Sequence, residues 1–239
     1  MSRKITIAIM AVLLSLSLAT ALSAPPDKPV ELTAETIEYD AKSGVMTAEG
    51  DVKIVRDKAV MTGAKGQYNS KNKEALITGG VKVVREDTTL TAAEVRSFND
   101  NYLVATGSAI LTKGQNTIAG PKIEHWVDKE YSLVPNDARL TMPDGWMTAD
   151  RMEAFHKEDR AVGDGHAHIV SQPRDLDATS DQAVYYGSKN TGQQGKVILS
   201  GNARAVQEGN ILTGKTLTIY LDDKAMDAQG RPQLIVKPQ

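Results

Sequence analysis

The sequence predicts an all-β chain, a stack of about seven repeats of ~29 residues each, and three observations lead to that reading. The first is a short pattern of an apolar residue, a small polar one, then Ala or Gly. It recurs at Leu32-Thr33-Ala34, Met61-Thr62-Gly63, Leu90-Thr91-Ala92, Ile118-Ala119-Gly120, Met147-Thr148-Ala149, Leu176-Asp177-Ala178 and Leu212-Thr213-Gly214, at intervals of 29, 29, 28, 29, 29 and 36 residues. The second is a marker at Gly50, Gly79, Gly107, Asn136, Gly165, Gly201 and Gly230; the next Ala or Gly of the pattern follows 13 residues later in all six cases, as Gly63 follows Gly50. The third is a period-2 alternation after each marker. Val52 and Ile54 are flanked by Asp51 and Lys53, Val81 and Val83 by Gly80 and Lys82, and Ala138 and Leu140 by Asp137 and Arg139. Alternation of this kind marks a half-buried strand, and a fixed period of this size marks units that bury their apolar faces only against neighbours.

The elements of one repeat follow in order. The strand after the marker runs into a polar turn, such as Arg56-Asp57-Lys58, Pro143-Asp144-Gly145 or Glu208-Gly209-Asn210, made of residue types that reverse a chain. The Leu-Thr-Ala pattern opens a second strand, which ends near an aromatic residue (Tyr39, Tyr68, Phe98, Trp126, Phe155, Tyr185, Tyr220). A second polar turn, such as Asn69 to Lys73, leads to a short apolar run back to the next marker. Each unit therefore reads as two or three short strands with no room for a helix. The single 36-residue interval carries its extra residues within Ser188–Gly195, a protruding polar loop of the kind that stacked folds accept on one face.

Residues 1–24 read as a signal peptide: Arg3 and Lys4, an apolar run from Ile5 to Ala21, then small residues before Pro25. An uncleaved anchor is the alternative, since the run approaches spanning length; the serines and threonine at 15, 17, 20 and 23 favour cleavage. Residues 25–239 form one stacked domain. Removing residues 1–24 takes away two bases and no acid, which moves the net charge from −2 to −4. That balance is a poor match for general nucleic-acid binding. The absence of cysteine excludes disulfides and thiol catalysis.

No catalytic constellation, metal site or cofactor motif is expected. His166 and His168 are two apart on a strand, a spacing that can grip a metal, yet they occupy outward slots filled elsewhere by Asp51 and Lys53. The carboxylate pairs Glu86/Asp87, Glu158/Asp159 and Asp222/Asp223 all fall in turns. The interior admits two readings. Its inward positions are aliphatic and often small, with Val52, Ile54, Val81, Val83, Leu111, Leu140 and Ile169 interspersed with alanines such as Ala109, Ala138, Ala167 and Ala203. Collapsed packing is one outcome. A groove for acyl chains, with the alanines leaving space between facing sheets, is the other, at roughly 0.8 kcal/mol per buried CH₂. On the outward face Lys53, Lys82, Arg139, His168 and Arg204 share one slot, and equivalent positions in a stack lie one strand spacing apart, about 4.8 Å. At the C-terminus Pro232 precedes Leu234, Ile235 and Val236; proline is confined to sheet edges, so this is a terminal strand and a candidate docking edge.

The Leu-Thr-Ala openings, the Ala48–Ile54 strand (Ala-Glu-Gly-Asp-Val-Lys-Ile) and the closing Leu212–Leu221 segment followed by Arg231-Pro-Gln-Leu-Ile-Val236 resemble the OstA-like family, from about Val30 to Lys237. The resemblance implies an open twisted β-jellyroll, a "β-taco", whose interior shelters lipid acyl chains. It further implies a non-enzymatic periplasmic protein that carries lipopolysaccharide or a related lipid from inner to outer membrane. Its partners would be other lipopolysaccharide-transport proteins at both membranes, and copies of itself joined edge to edge. Seven rungs give only roughly 34 Å of length, so such a bridge needs end-to-end joining. Two alternatives stand beside it: a membrane-anchored relative that hands lipid to the bridge, and a packed envelope scaffold without cargo.

Overall fold

The computed structural model describes residues 30–99, 101–188 and 194–238. The segment read as a signal peptide lies outside the described residues, as do five residues of the Ser188–Gly195 insertion. Among the described residues no helix is long and apolar enough to cross a membrane.

Among the described residues eighteen strands form one antiparallel sheet. In chain order they are β1 (Val30–Thr33), β2 (Thr36–Asp40), β3 (Val45–Arg56), β4 (Ala59–Asn69), β5 (Glu74–Arg85), β6 (Thr88–Phe98), β7 (Tyr102–Lys113), β8 (Asn116–Trp126), β9 (Tyr131–Val134), β10 (Ala138–Met142), β11 (Gly145–Ala149), β12 (Arg151–Phe155), β13 (Arg160–Ser171), β14 (Leu176–Tyr186), β15 (Lys196–Gln207), β16 (Asn210–Tyr220), β17 (Met226–Gln229) and β18 (Gln233–Ile235). A 3₁₀ turn, Gln172–Arg174, links β13 to β14. Four pairs are halves of one interrupted strand. β1 and β2 both pair with β3, β9 and β10 with β8, β11 and β12 with β13, and β17 and β18 with β16. The sheet is thus a meander of fourteen full-width strands.

This corrects the expectation of short strands. The marker glycine does not separate two strands; it sits inside one of 12 residues. Between the pairs Glu49↔Lys65 and Val52↔Gly63, Gly50 and Asp51 together oppose Ala64, which is a β-bulge. The same shift recurs at Gly79–Gly80, Gly107–Ser108, Gly165–His166 and Gly201–Asn202. Both residues of each bulge are left-handed, at φ 78° and 44° for Gly50 and Asp51, and 76° and 47° for Gly201 and Asn202. The first must be glycine for a second reason: a Cβ on Gly79 would lie 2.5 Å from the Ala64 Cβ, and one on Gly107 2.5 Å from the Ala93 Cβ. The second residue faces open space, and asparagine, aspartate, serine and histidine fill it. Where the fourth marker is Asn136, the strand breaks outright between β9 and β10, with Asp137 at φ 50°.

Bulges bend a strand and increase its twist. Aligned across alternate strands, they crease the whole sheet and fold it into two facing walls, the open twisted jellyroll. The upper wall ends in the tight turns at 57–58, 86–87, 114–115, 143–144, 172–175 and 208–209. The lower wall ends in the turns at 41–44, 70–73, 127–130, 156–159 and 221–225. The long repeat interval falls between Tyr186 and Lys196, which pair with each other as the ladder resumes. Fourteen strands at the usual spacing span roughly 62 Å, nearly twice the length expected from seven rungs, because every repeat contributes two strands.

Candidate functional site

The space between the walls is wedge-shaped. At the crease the walls touch: a Cβ on Gly66, in the lower wall, would lie 2.8 Å from Val52 Cγ1 in the upper wall. Val52 and Val81 pack there, with Ala109, Ala138, Ala167 and Ala203, all 2% exposed or less. The alanines therefore fit the narrow end of a wedge, a correction to the expectation that they leave space. One row further out, an aliphatic ladder crosses the upper wall in register: Leu32, Ile54, Met61, Val83, Leu90, Leu111, Ile118, Leu140, Met147, Ile169, Ala178, Ala205, Leu212 and Leu234. It runs from one edge of the sheet to the other.

Between this ladder and the two rows of turns lie three cavities of about 530, 380 and 220 Å³. The largest is lined by Met61, Val83, Leu90, Leu103, Leu111 and Val127, with Arg56, Arg85, Lys113, Glu86, Asp87 and Glu130 at its rim. The second shares Leu111, Lys113, Glu130 and His156 with the first and adds Ile118, Leu140, Phe155 and Tyr185. The third shares Tyr185 with the second and adds Met142, Ile169, Leu176 and Val197. Of the seven inward residues singled out from the sequence, all are buried. Val83, Leu111, Leu140 and Ile169 line the cavities, whereas Val52 and Val81 pack at the crease and Ile54, in the same row as Val83, is buried without lining one of the three. Burial of Tyr185 between the second and third cavities pushes its hydroxyl pKa up to about 12.

Polar straps tie the two rows of turns together over this mouth. Lys113 is ion-paired with Glu130, Asn116 Nδ2 donates to Asp159 Oδ1 at 3.3 Å, the Arg174 guanidinium donates to the Leu221 carbonyl, and Lys224 pairs with Glu208. The Lys113 ammonium holds the Glu130 carboxyl below its ordinary pKa.

The lower wall is not uniformly apolar, and here sequence reasoning missed a cluster. Its outer inward row reads Met46, Tyr68, Ala75, Ser97, Leu103, His125, Ser132, Ala154, Ala161, Tyr185, Val197 and Ile219. His125 Nδ1 and His156 Nε2 lie 2.9 and 2.8 Å from the two sides of Ser132 Oγ. Burial, followed by the charge of the partner histidine, lowers the pKa of His125 to about 4; burial and Lys113 do the same for His156. The signal available was parity: His125 stands two residues after the inward Ile123, so it must point inward as well.

On the outer faces, Lys53, Lys82, Arg139, His168 and Arg204 do share one row, but threonines or small residues of the intervening strands (Thr62, Thr91, Ala119, Thr148, Thr179) separate them. Their separation is roughly 9.6 Å between successive bulged strands rather than 4.8 Å, a correction with the same cause as the length. His166 belongs to a bulge, which takes it out of step with His168. It bonds Asp150 at 2.8 Å, which raises its pKa, and His168 bonds Asp177 at 3.1 Å. Among the described residues no group of three or more His, Cys, Asp or Glu converges as metal ligands would. The strand-end aromatics build an external ladder instead: Phe98, Tyr102, Trp126, Tyr131 and Phe155 stack at centroid distances of 4.8–5.6 Å, capped by Arg160 at 3.8 Å. Such cross-strand pairs stiffen a wall.

At the sheet ends, Leu234, Ile235 and Val236 are 60%, 52% and 65% exposed on the last strand and its exit, and Ile37 and Tyr39 are exposed on the first.

The architecture defines a creased β-wedge with an aliphatic interior and two open edges, and the sequence matches agree. Residues 22–93 match the family model described as OstA-like protein, and residues 140–225 match the one described as LptA/(LptD N-terminal domain) LPS transport protein. Each match covers about a third of the chain, so the N-terminal part is similar to OstA-like protein and the C-terminal part to the LptA/LptD N-terminal model. Among solved structures it is similar to LptH, the LptA-homologous periplasmic component of the lipopolysaccharide transport device of Pseudomonas aeruginosa. The identity there is 15%, the match covers 88% of this chain and 96% of that one, and the TM-score is 0.23. No curated protein matches the chain.

Proposed function

We propose that this chain is a non-enzymatic, periplasmic lipid carrier of lipopolysaccharide transport, in which acyl chains lie along the mouth of the wedge. One observation carries the reading: contiguous cavities lined by Val83, Leu111, Leu140 and Ile169 run beneath a charged rim. That is an amphiphile's profile, and the family model described as an LPS transport protein supports it. Residues 1–24 direct export and are removed, leaving residues 25–239 as the working domain. The docking edge at Leu234, Ile235 and Val236 serves edge-to-edge assembly. The aliphatic row ends at Leu32 on one edge and Leu234 on the other, so joined copies would continue the groove without a gap, towards partner transport proteins at both membranes.

Mass spectrometry of lipid extracted from the gently purified protein is the first test, and recovery of no lipid would favour the packed scaffold. Crosslinking to lipopolysaccharide is the second. Val83→Asp and Leu140→Asp should abolish it, because each places a carboxylate in the groove, and Ile54→Asp should do so by disturbing the wall behind. Lys53→Ala and Arg139→Ala, on the outer face, should leave it intact; equal crosslinking in both sets would refute the groove. Sequencing the mature N-terminus separates a soluble carrier from an anchored one.

A further inference from the structure

A groove for hydrocarbon has no use for imidazoles, yet buried His125 and half-buried His156 both line the largest cavity, and His156 the second as well. Ser97, buried on β6, lines the same cavity two strands from His125. Ser132 sits behind the rings and bonds both.

The proton count of this relay is fixed by elementary chemistry. A hydroxyl has one proton to donate, so Ser132 donates to one ring and accepts an N–H from the other. Each neutral imidazole carries one N–H and one bare nitrogen. If Ser132 donates to His156, the remaining nitrogen of His156 is an N–H and that of His125 is bare; if it donates to His125, the two exchange roles. In either direction the pair retains one donor and one acceptor beyond Ser132. A ligand group that both donates and accepts suits the pair in either state. The surroundings fix where along a ligand this group must lie. Leu103 and Leu111 line the cavity beside the rings, and Lys113 and Glu130 stand at its rim, so the imidazoles sit between the tail region and the charged mouth.

We propose that His125 and His156, positioned by Ser132, form a hydrogen-bonding station inside the groove. It recognises a hydroxyl or secondary amide where an acyl chain joins its polar head. This inference rests on the lipid-groove reading and gives it a polar specificity that aliphatic walls cannot supply.

The test uses two amphiphiles below their critical micelle concentrations, N-dodecanoylglucamine and its N-methyl derivative. They share tail, carbonyl and head and differ at the amide N–H. Binding is read by calorimetry on the full chain. Wild type should favour the N–H form by roughly threefold to tenfold, the value of one neutral hydrogen bond. His125→Leu/His156→Leu should bind both forms alike. Ser132→Ala, which removes only the hydroxyl that aligns the rings, should reduce the preference, and circular dichroism checks that each variant is folded. Equal affinities in wild type, or a preference that survives in the folded double variant, would overturn the station. Failure of both amphiphiles to bind wild type would instead overturn the groove itself.

Discussion

The two residues of one bulge should respond unequally to substitution, and Gly79–Gly80 isolates the difference. Both are left-handed, at φ 84° and 72°. Alanine at either position meets the left-handed penalty of about 1–2 kcal/mol. Only at Gly79 does the new Cβ collide, 2.5 Å from the Ala64 Cβ and 3.5 Å from its Cα; at Gly80 nothing lies within 4 Å. Overpacking against a fixed strand adds about 1–3 kcal/mol. Gly80→Ala should therefore cost about 1–2 kcal/mol and Gly79→Ala about 2–5 kcal/mol. At about 2–4 °C per kcal/mol for a domain of this size, the midpoint should fall by about 2–8 °C in the first and by about 4–20 °C in the second. Gly80→Asn should be close to neutral, since Asn202 holds the equivalent slot at φ 47°. Thermal and urea unfolding followed by circular dichroism measure all three. If Gly79→Ala is no worse than Gly80→Ala, or Gly80→Asn is as damaging as Gly79→Ala, close approach is not what makes the marker glycine obligatory.

Stability should also depend on pH through the two cavity-lining imidazoles. Their folded pKa values of about 4 lie below the unfolded value of 6.5, so the unfolded chain takes up protons first. Stability is complete above pH 6.5, falls as pH drops towards 4, and stops falling from this source below that. For His125 alone the loss is about 3 kcal/mol; His125→Leu should flatten the pH 4–6.5 portion of the curve, and an unchanged slope would contradict its burial as a neutral ring. At the C-terminal edge, Leu234→Lys/Ile235→Lys should weaken self-association at least tenfold in sedimentation equilibrium. Both residues are exposed, so the melting temperature should move little. A monomeric wild type, or a variant that associates equally well, would count against edge joining.

The repeat period made the β-stack and the inward parity legible, because both are properties of alternation along the chain. Strand length was not legible. A glycine followed by a polar residue reads as a turn, and only pairing across three strands shows that Gly50–Asp51 is a bulge within one ladder. The length of the stack and the spacing of Lys53 and Lys82 went astray from that same point. Which inward residues line space and which pack solid depends on distance from the crease, so Val52 and Val83, alike in sequence, part company in the fold. The His125–Ser132–His156 cluster joins a strand, its neighbour and a turn 31 residues from the first histidine. Parity points His125 inward, but nothing in a linear pattern places a turn histidine against it.

A bulge, or at Asn136 and Gly230 a break, occurs on every second strand, so the crease repeats by hairpin and not by strand. Lengthening this molecule is therefore possible only in steps of one hairpin, roughly 9.6 Å. A duplication of one ~29-residue unit would preserve the crease, the inward parity and the direction of both terminal strands. An odd strand would reverse the outgoing edge and set a plain strand where the next bulge belongs. The molecule's reach is in this sense quantised, and an evolving lineage could tune it by copying whole units while leaving both ends compatible with the same neighbours.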